Sequence, residues 1–530
     1  MSRCTKFRQV KHSLKSLLGC RYSEAVAEAQ AKLTGRRFAS IMRIAEKDVD
    51  FFPQAAQRRL VKMLGRVGKS FSSELKRTRE GASTKAFAVA TKRSLAPLAG
   101  WGYYRVGEDG RLNLMAKSEH YHAPLGHGFG GYRLIEHARS MGIPNATHNN
   151  TRGYIVRMVE QELVRTANGI AAGDAAGLSR VLKSRSASAL NRVVNLQTGS
   201  LAAETAIKIM LGRFYKIGPD VPEPKYHGRR PVIIVIGDDD AEVTGNYHGT
   251  TIFTQMLRGM WPGVCSALDG AGAIKVVAVR PNKIDDVRRL FARYEKGKWK
   301  IAGFCHELVM MNYGARMLEK SYIRSCHRLC RDHDVPTFVD EIQSCLWSDE
   351  LYMFREYGLS PSLVAIGKGF SGGEYAASRI LLNGRLDLLP QFGSLVTNGQ
   401  EELSALAYLV TMAWARRNRT VTRSVGEYYQ SRLEDLVRAH RGVLETAEGC
   451  RHLSGLRFQD LSVAKRFVKL LVERGIDISV QTYKTGCSPT ALTKLPLVAG
   501  YEVVDFVIAG MSDALDHMSR CRDLTMVRSE

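Results

Sequence analysis

Val335-Pro336-Thr337-Phe338-Val339-Asp340 and Leu363-Val364-Ala365-Ile366-Gly367-Lys368-Gly369 decide the fold of this 530-residue chain. Each is a short apolar run with the composition of a buried strand, the first ending on an acid and the second on Gly-Lys-Gly. Between them, Asp349 to Tyr357 is patterned as an amphipathic helix, so the whole reads as one βαβ repeat with neighbouring parallel strands. Right-handed crossovers bring such strand ends to one carboxyl edge, which places Asp340 and Lys368, 28 positions apart, on the same rim. Acid-terminated strands and Gly-Lys-Gly turns also occur in α/β proteins that bind nothing there, so the pair alone leaves both readings open.

Working outward, further strand-like runs are Val193–Asn195, Val232–Ile236, Ile274–Val279, Ile301–Cys305 and Arg379–Leu382, alternating with helical stretches as a mostly parallel sheet requires. Residues after about Gln400 are helical and then mixed, with Val463 to Glu473 a helix and Ile476 to Val480 a strand. A carboxylate and a lysine on one sheet edge suit pyridoxal 5′-phosphate: the lysine forms a Schiff base, and the carboxylate keeps the ring nitrogen protonated as an electron sink.

Val339-Asp340-Glu341-Ile342-Gln343-Ser344 and Lys368-Gly369-Phe370-Ser371-Gly372-Gly373-Glu374-Tyr375 resemble the two signature segments of class III pyridoxal-phosphate-dependent aminotransferases. Three more segments are similar to that family in the expected order. Thr198-Gly199-Ser200-Leu201 looks like its phosphate-binding turn; Gly199 allows close backbone approach, and unpaired amides opening a helix can hold a dianion with the Ser200 hydroxyl. Asn246-Tyr247-His248-Gly249-Thr250 is similar to its Tyr-His-Gly element, implying that Tyr247 stacks on the ring. Thr397, in Val396-Thr397-Asn398-Gly399, stands where the family places a threonine reaching the partner subunit's phosphate, although Glu401-Glu402 replaces the usual Asn-Pro. Pro124-Leu125-Gly126-His127-Gly128 also looks like a family element, and the resemblance runs from about Tyr121 to about Leu515.

The resemblance implies an α/β fold of type I. A large cofactor-binding domain would span 105–400 and a small C-terminal α/β domain 401–530, after a basic, mainly helical extension at 1–104. It further implies that Lys368 and Asp340 are catalytic, that Gly199, Ser200, Tyr247, Gln343 and Thr397 complete the cofactor site, and that the protein is a homodimer acting on an amine or amino acid and a 2-oxo acid. Departures fall on the substrate side. Leu201 replaces a common glutamate; in His306-Glu307-Leu308-Val309-Met310-Met311-Asn312, Leu308 replaces a proline and Asn312 a glutamate of ω-amino-acid enzymes. No arginine stands in Ala491-Leu492-Thr493-Lys494-Leu495-Pro496, only Lys494. Glu307, Asn312 and Lys494 are therefore the candidate substrate residues, and ornithine- or 4-aminobutyrate-like specificity is not supported. An aminomutase, racemase or decarboxylase would use the same cofactor residues.

Composition fits a globular enzyme, with 45% hydrophobic residues and no apolar run near the ~20 residues of a membrane span. The start has no acid before Glu24, but Lys11 and Lys15 interrupt any signal-peptide core, and ten scattered cysteines show no disulfide framework, so a cytoplasmic protein is expected. Cys326 and Cys330, at i and i+4 on a helix with His333 nearby, read as buried thiols, and no metal is expected. Residues 1–100 carry 22 Lys and Arg against 7 Asp and Glu, most of the net charge of +25. Apolar stripes at Glu24–Ala29 and Ala55–Leu64 make this region a folded layer flanking a dimer; nucleic-acid binding beside a ligand-sensing site is the alternative from another class.

Overall fold

The seven apolar runs pair into one sheet. The structure, a computed structural model, describes residues 5–117, 122–146, 148–481 and 488–526, so Tyr121 lies outside the described residues. Across the sheet the strands are Leu190–Leu196, Ser378–Asn383, Leu363–Ile366, Thr337–Asp340, Trp299–His306, Arg230–Ile236 and Lys275–Val279, and only Ser378–Asn383 runs against its neighbours. Continuous apolar strands follow from burial on both faces. In Arg230–Ile236, Val232, Ile234 and Ile236 enter one core while Ile233 and Val235 enter the other, as the two-residue period of a strand demands. Helix Gly199–Leu211 packs on the second face, bringing Ala202, Ala203, Ala206 and Ile207 against the sheet.

Thr337–Asp340 and Leu363–Ile366 are parallel neighbours with Asp340 opposite Ala365, so the expected βαβ repeat forms. Its crossover differs from the sequence reading. Instead of a helix over Asp349 to Tyr357, only Met353–Glu356 is helical. Leu351 adopts a left-handed φ of +67°, and the turn starts late because the buried Glu341 carboxylate accepts from Met353 N–H (2.8 Å) and Phe354 N–H (2.6 Å).

The long helix Glu402–Ala439 leads into an antiparallel sheet of Leu444–Cys450, Leu453–Phe458, Thr490–Thr493 and Ser479–Val480. The strand read over Ile476 to Val480 is broken. Ile476–Asp477 pairs in parallel with Leu112–Met115, while Ser479–Val480 joins Thr490–Thr493, because both Ile476 and Ile478 are buried where the chain passes from one sheet to the other. Arg105 fixes the crossing with a 2.8 Å ion pair to Asp477.

The basic N-terminal part contains helices Leu14–Leu18, Cys20–Thr34, Phe38–Glu46 and Gln54–Lys62. Their apolar faces bury Leu14, Leu18, Ala27, Ile41 and Leu60 in the core shared with the rest of the chain. Phe7 and Phe52 pack on Trp414 of the long helix, with ring centroids 5.6 and 6.4 Å away. Helix Lys320–Asp332 buries Cys326 and Cys330 completely.

Glu341→Ala strands two buried amides at the start of Met353–Glu356. It should destabilise the protein by about 2–6 kcal/mol in chemical denaturation, at about 1–3 kcal/mol for each of the two unsatisfied groups. Glu341→Gln should cost less, since its carbonyl still accepts one amide and burial already pushes the Glu341 carboxyl up to about 8, toward its neutral form. Equal losses in the two variants would show that the capping bonds carry no stability.

Candidate active site

The carboxyl ends of the central strands open on a cavity of about 270 Å³. Gly199, Ser200, Tyr247, Asp340, Gln343 and Lys368, read from the sequence, all line it. The sheet supplies Asp340 and, immediately after the next strand, Lys368; a helix N-terminus supplies Gly199 and Ser200; the loop after Arg230–Ile236 supplies Tyr247.

Asp340 is nearly buried and held on both oxygens. Its Oδ1 accepts from Ile342 N–H at 3.0 Å, and its Oδ2 lies 3.0 Å from His248 Nδ1. An ionised carboxylate can only accept, so His248 donates to it from Nδ1. Lys368 opens a short 3-10 turn, Lys368–Ser371, with φ of +41°, a strained conformation for a residue with a side chain. Burial holds its amine below the ordinary lysine range, while Asp340 and then Glu307 pull it back up.

At the other end of the cavity, Thr198 caps helix Gly199–Leu211 through its hydroxyl, which accepts from Leu201 N–H at 3.4 Å. Thr250 N–H donates to Ser200 Oγ at 3.0 Å. Gly249, at φ of +144°, is required here, because a Cβ would sit 2.7 Å from Ser200 Cα. Asn246 fixes the loop by donating to the carbonyls of Ile236, Val243 and Leu257. The half-buried Tyr247 ring has the Arg258 guanidinium 5.0 Å from its centroid.

The remaining sequence candidates lie outside the lining. Thr397 is exposed at the start of Thr397–Gln400. Glu307 is fully enclosed, and its carboxyl is pushed well up by burial and by Asp340; its Oε2 has no hydrogen-bond partner among the described residues. The Asn312 carbonyl accepts from the Gln481 side chain. Lys494 is buried; its ammonium donates to the Gln343 carbonyl and lies 3.6 Å from the Trp347 ring centroid. Burial holds Lys494 well below the lysine range.

Sequence reasoning missed His248, Thr198, Thr250, His122 and Tyr375, all at or beside the cavity. Thr198 had a readable signal as a cap preceding a helix. His248 had none of its own, since its partner Asp340 is 92 residues away.

Pyridoxal 5′-phosphate fits this donor set. The helix N-terminus with Ser200 suits a phosphate, the fixed Asp340 carboxylate suits a protonated ring nitrogen, and a half-buried lysine of lowered pKa suits an aldehyde. The buried Gln343 Oε1 has no hydrogen-bond partner among the described residues, so its amide remains available to a ligand.

The family described as Aminotransferase class-III matches residues 131–485. An ornithine aminotransferase of Emericella nidulans is 28% identical over 207 residues, 37% of this chain and 41% of that protein. An L-lysine-epsilon aminotransferase of Streptomyces clavuligerus is 24% identical over 307 residues, 53% of this chain and 63% of that protein. The chain thus spans about half the length of these curated relatives. Among solved structures, an adenosylmethionine-8-amino-7-oxononanoate aminotransferase from Methanocaldococcus jannaschii superposes with a TM-score of 0.64 at 15% identity, over 87% of this chain and 99% of that one. An ornithine aminotransferase from Toxoplasma gondii gives 0.63 at 16% identity, over 84% and 97%. The fold is that of type I pyridoxal-phosphate enzymes, and the chain belongs to the class III aminotransferase family, whose cofactor is pyridoxal 5′-phosphate.

Proposed function

We propose that this protein is an aminotransferase moving an amino group between an amine or amino acid and a 2-oxo acid. The observation that carries the reading is the convergence of Lys368, Asp340 and the Gly199–Ser200 helix start on one cavity. Bound pyridoxal 5′-phosphate supplies an aldehyde for the amino group and a ring that spreads the electron pair left at the α-carbon. The chain's part is positional and electrostatic. Gly199 and Ser200 would hold the phosphate, Tyr247 would steady the ring, and the Gln343 amide would meet the ring oxygen. Asp340, oriented by Ile342 and His248, keeps a negative charge at the ring nitrogen. Lys368, biased by burial toward its neutral amine, takes the proton from the substrate α-carbon.

The substrate side supports a narrower statement. With Lys494 donating to the Gln343 carbonyl and no arginine in the segment 491–496, a carboxylate clamp of the ornithine or 4-aminobutyrate kind has no support. We propose that the active unit is a homodimer in the cytoplasm, with Thr397 reaching the partner's phosphate. Exposed apolar side chains support the dimer: Phe392, five residues before Thr397, is 78% exposed, and elsewhere Ile252 is 52% and Trp261 47% exposed. A spectrophotometric screen of amines against the cofactor-loaded protein tests the activity. Accumulation of the pyridoxamine form on adding amine without oxo acid is expected, and no spectral change with any amine class would overturn it.

Borohydride reduction of the loaded protein, followed by peptide mapping, should place the label on Lys368 and on no other lysine. In the cofactor-free protein, competitive acetylation should titrate Lys368 at lower pH than surface lysines. Asp340→Asn should lower it further, since the carboxylate pulls that amine upward. Asp340→Asn should slow the half-reaction far more than Gln343→Ala, whose lost hydrogen bond costs about 1–3 kcal/mol. Equal losses would mean that Asp340 does not face the ring nitrogen. Mixing Lys368→Ala and Thr397→Ala chains should restore activity above that of either alone, because one site of each heterodimer then carries neither lesion. An active monomer by light scattering would remove Thr397 from the site.

A further inference from the structure

One part of the chain is built as a projection. Every residue from Lys69 to Arg93 is exposed. Both ends of this loop are tied to Glu108: Leu75 N–H donates to the Glu108 carbonyl at 2.7 Å, and Glu108 N–H to the Arg93 carbonyl at 2.9 Å. Phe71 N–H adds a 2.9 Å bond to Gly110. Between these anchors, Thr78 Oγ1 donates to Glu108 Oε1 at 3.0 Å. The remainder stands clear as a closed loop with its own short helix, Lys85–Ala90, none of whose residues is buried.

The charge and apolar content of the loop are ordered. Over 76–93, Lys76, Arg77, Arg79, Lys85, Lys92 and Arg93 stand against the single acid Glu80. Lys76, Arg77, Arg79, Lys85 and Lys92 make no ion pair among the described residues. Between the two groups of cations, helix Lys85–Ala90 carries Ala86, Phe87, Ala88, Val89 and Ala90, with Phe87 71% and Val89 78% exposed. Large apolar side chains that far into water, bracketed by cations, are placed at a cost unless something covers them.

We propose that Lys76–Arg93 docks on an anionic lipid surface. The cations match a negative headgroup layer, and Phe87 and Val89 fit the acyl boundary beneath it. Charge complementarity selects an anionic partner and disfavours a second copy of a chain with net charge +25. The aliphatic Val89 and three alanines, with neither Tyr nor Trp between the cations, favour a bilayer over stacked bases. No helix among the described residues is long and apolar enough to cross a membrane, so the contact is peripheral.

Co-sedimentation of the cofactor-loaded protein with phosphatidylcholine vesicles, with and without phosphatidylserine, tests this. Binding is expected only with phosphatidylserine and should weaken steeply with salt. Lys76→Glu/Arg77→Glu/Arg79→Glu should lower the partition by more than about tenfold, and Phe87→Ser/Val89→Ser should lower it at unchanged charge, both with unaltered melting curves. Trypsin protection of Arg77 and Arg79 by vesicles provides a reading on the unmodified chain. Absence of binding at low salt would overturn the proposal. So would retention after either set of substitutions, tighter binding to an oligonucleotide than to the vesicles, or a change in sedimenting mass on charge reversal.

Discussion

The structure depends on keeping an acid and an amine together in a nearly dry place at the edge of one sheet. Parallel pairing sets Asp340 opposite Ala365, and Lys368 follows three residues later, so backbone register fixes their approach before any side chain adjusts. Burial penalises both charged forms, and the surroundings answer the two penalties differently. Asp340 receives a backbone amide and an imidazole, which hold a carboxylate in place. For Lys368 burial is the largest influence, and Asp340 and then Glu307 only partly offset it, so the amine is left biased toward its neutral form. An acid fixed by two hydrogen bonds and an amine biased toward its neutral form, on one sheet edge, is an asymmetry that suits proton transfer at carbon.

Buried carboxylates do structural work around that pair. Glu341, next in sequence to Asp340, turns away from the cavity and caps Met353–Glu356. Glu402, which stands in the segment where the family usually has Asn-Pro, accepts from Ile155 N–H at 2.8 Å and so anchors the start of helix Tyr154–Ala167. A Cβ on Gly153 would meet Glu402 Oε1, so the glycine and the acid suit one another. The departure from the family pattern at this point is thus a change in how a helix start is held, on the same loop that carries Thr397.

All seven strands of the large sheet were legible because strands covered on both faces are continuous apolar runs, and nothing else in the chain looks like Val232-Ile233-Ile234-Val235-Ile236. Asp340, Lys368, Gly199 and Ser200 of the cavity lining were legible for a related reason: each sits at or just past the end of such a run or at the start of a helix, where local sequence dictates position. What was misread depended on distant partners. The pattern over Asp349 to Tyr357 favoured a helix, but the Glu341 carboxylate decides where the turn begins. The break within Ile476 to Val480 is set by a strand more than 360 residues earlier. His248 is a loop residue in sequence and an Asp340 partner only in space.

The same distinction explains why the cofactor side is clearer than the substrate side. Asp340, Lys368 and the Gly199 helix start are rigid outcomes of sheet register, whereas Glu307, Asn312 and Lys494 lie beyond strand ends, where partners are chosen by packing. Leu308, replacing a proline, is fully buried, and its carbonyl accepts from Leu318 N–H at 3.0 Å. Asn312 and Lys494 are drawn into bonds with Gln481 and the Gln343 backbone. Lys494 is therefore coupled to the site through the residue it holds: its ammonium supports the backbone of Gln343, whose side chain lines the cavity. Its position follows from packing around Trp347 and Gln343, which the run of sequence containing it does not reveal.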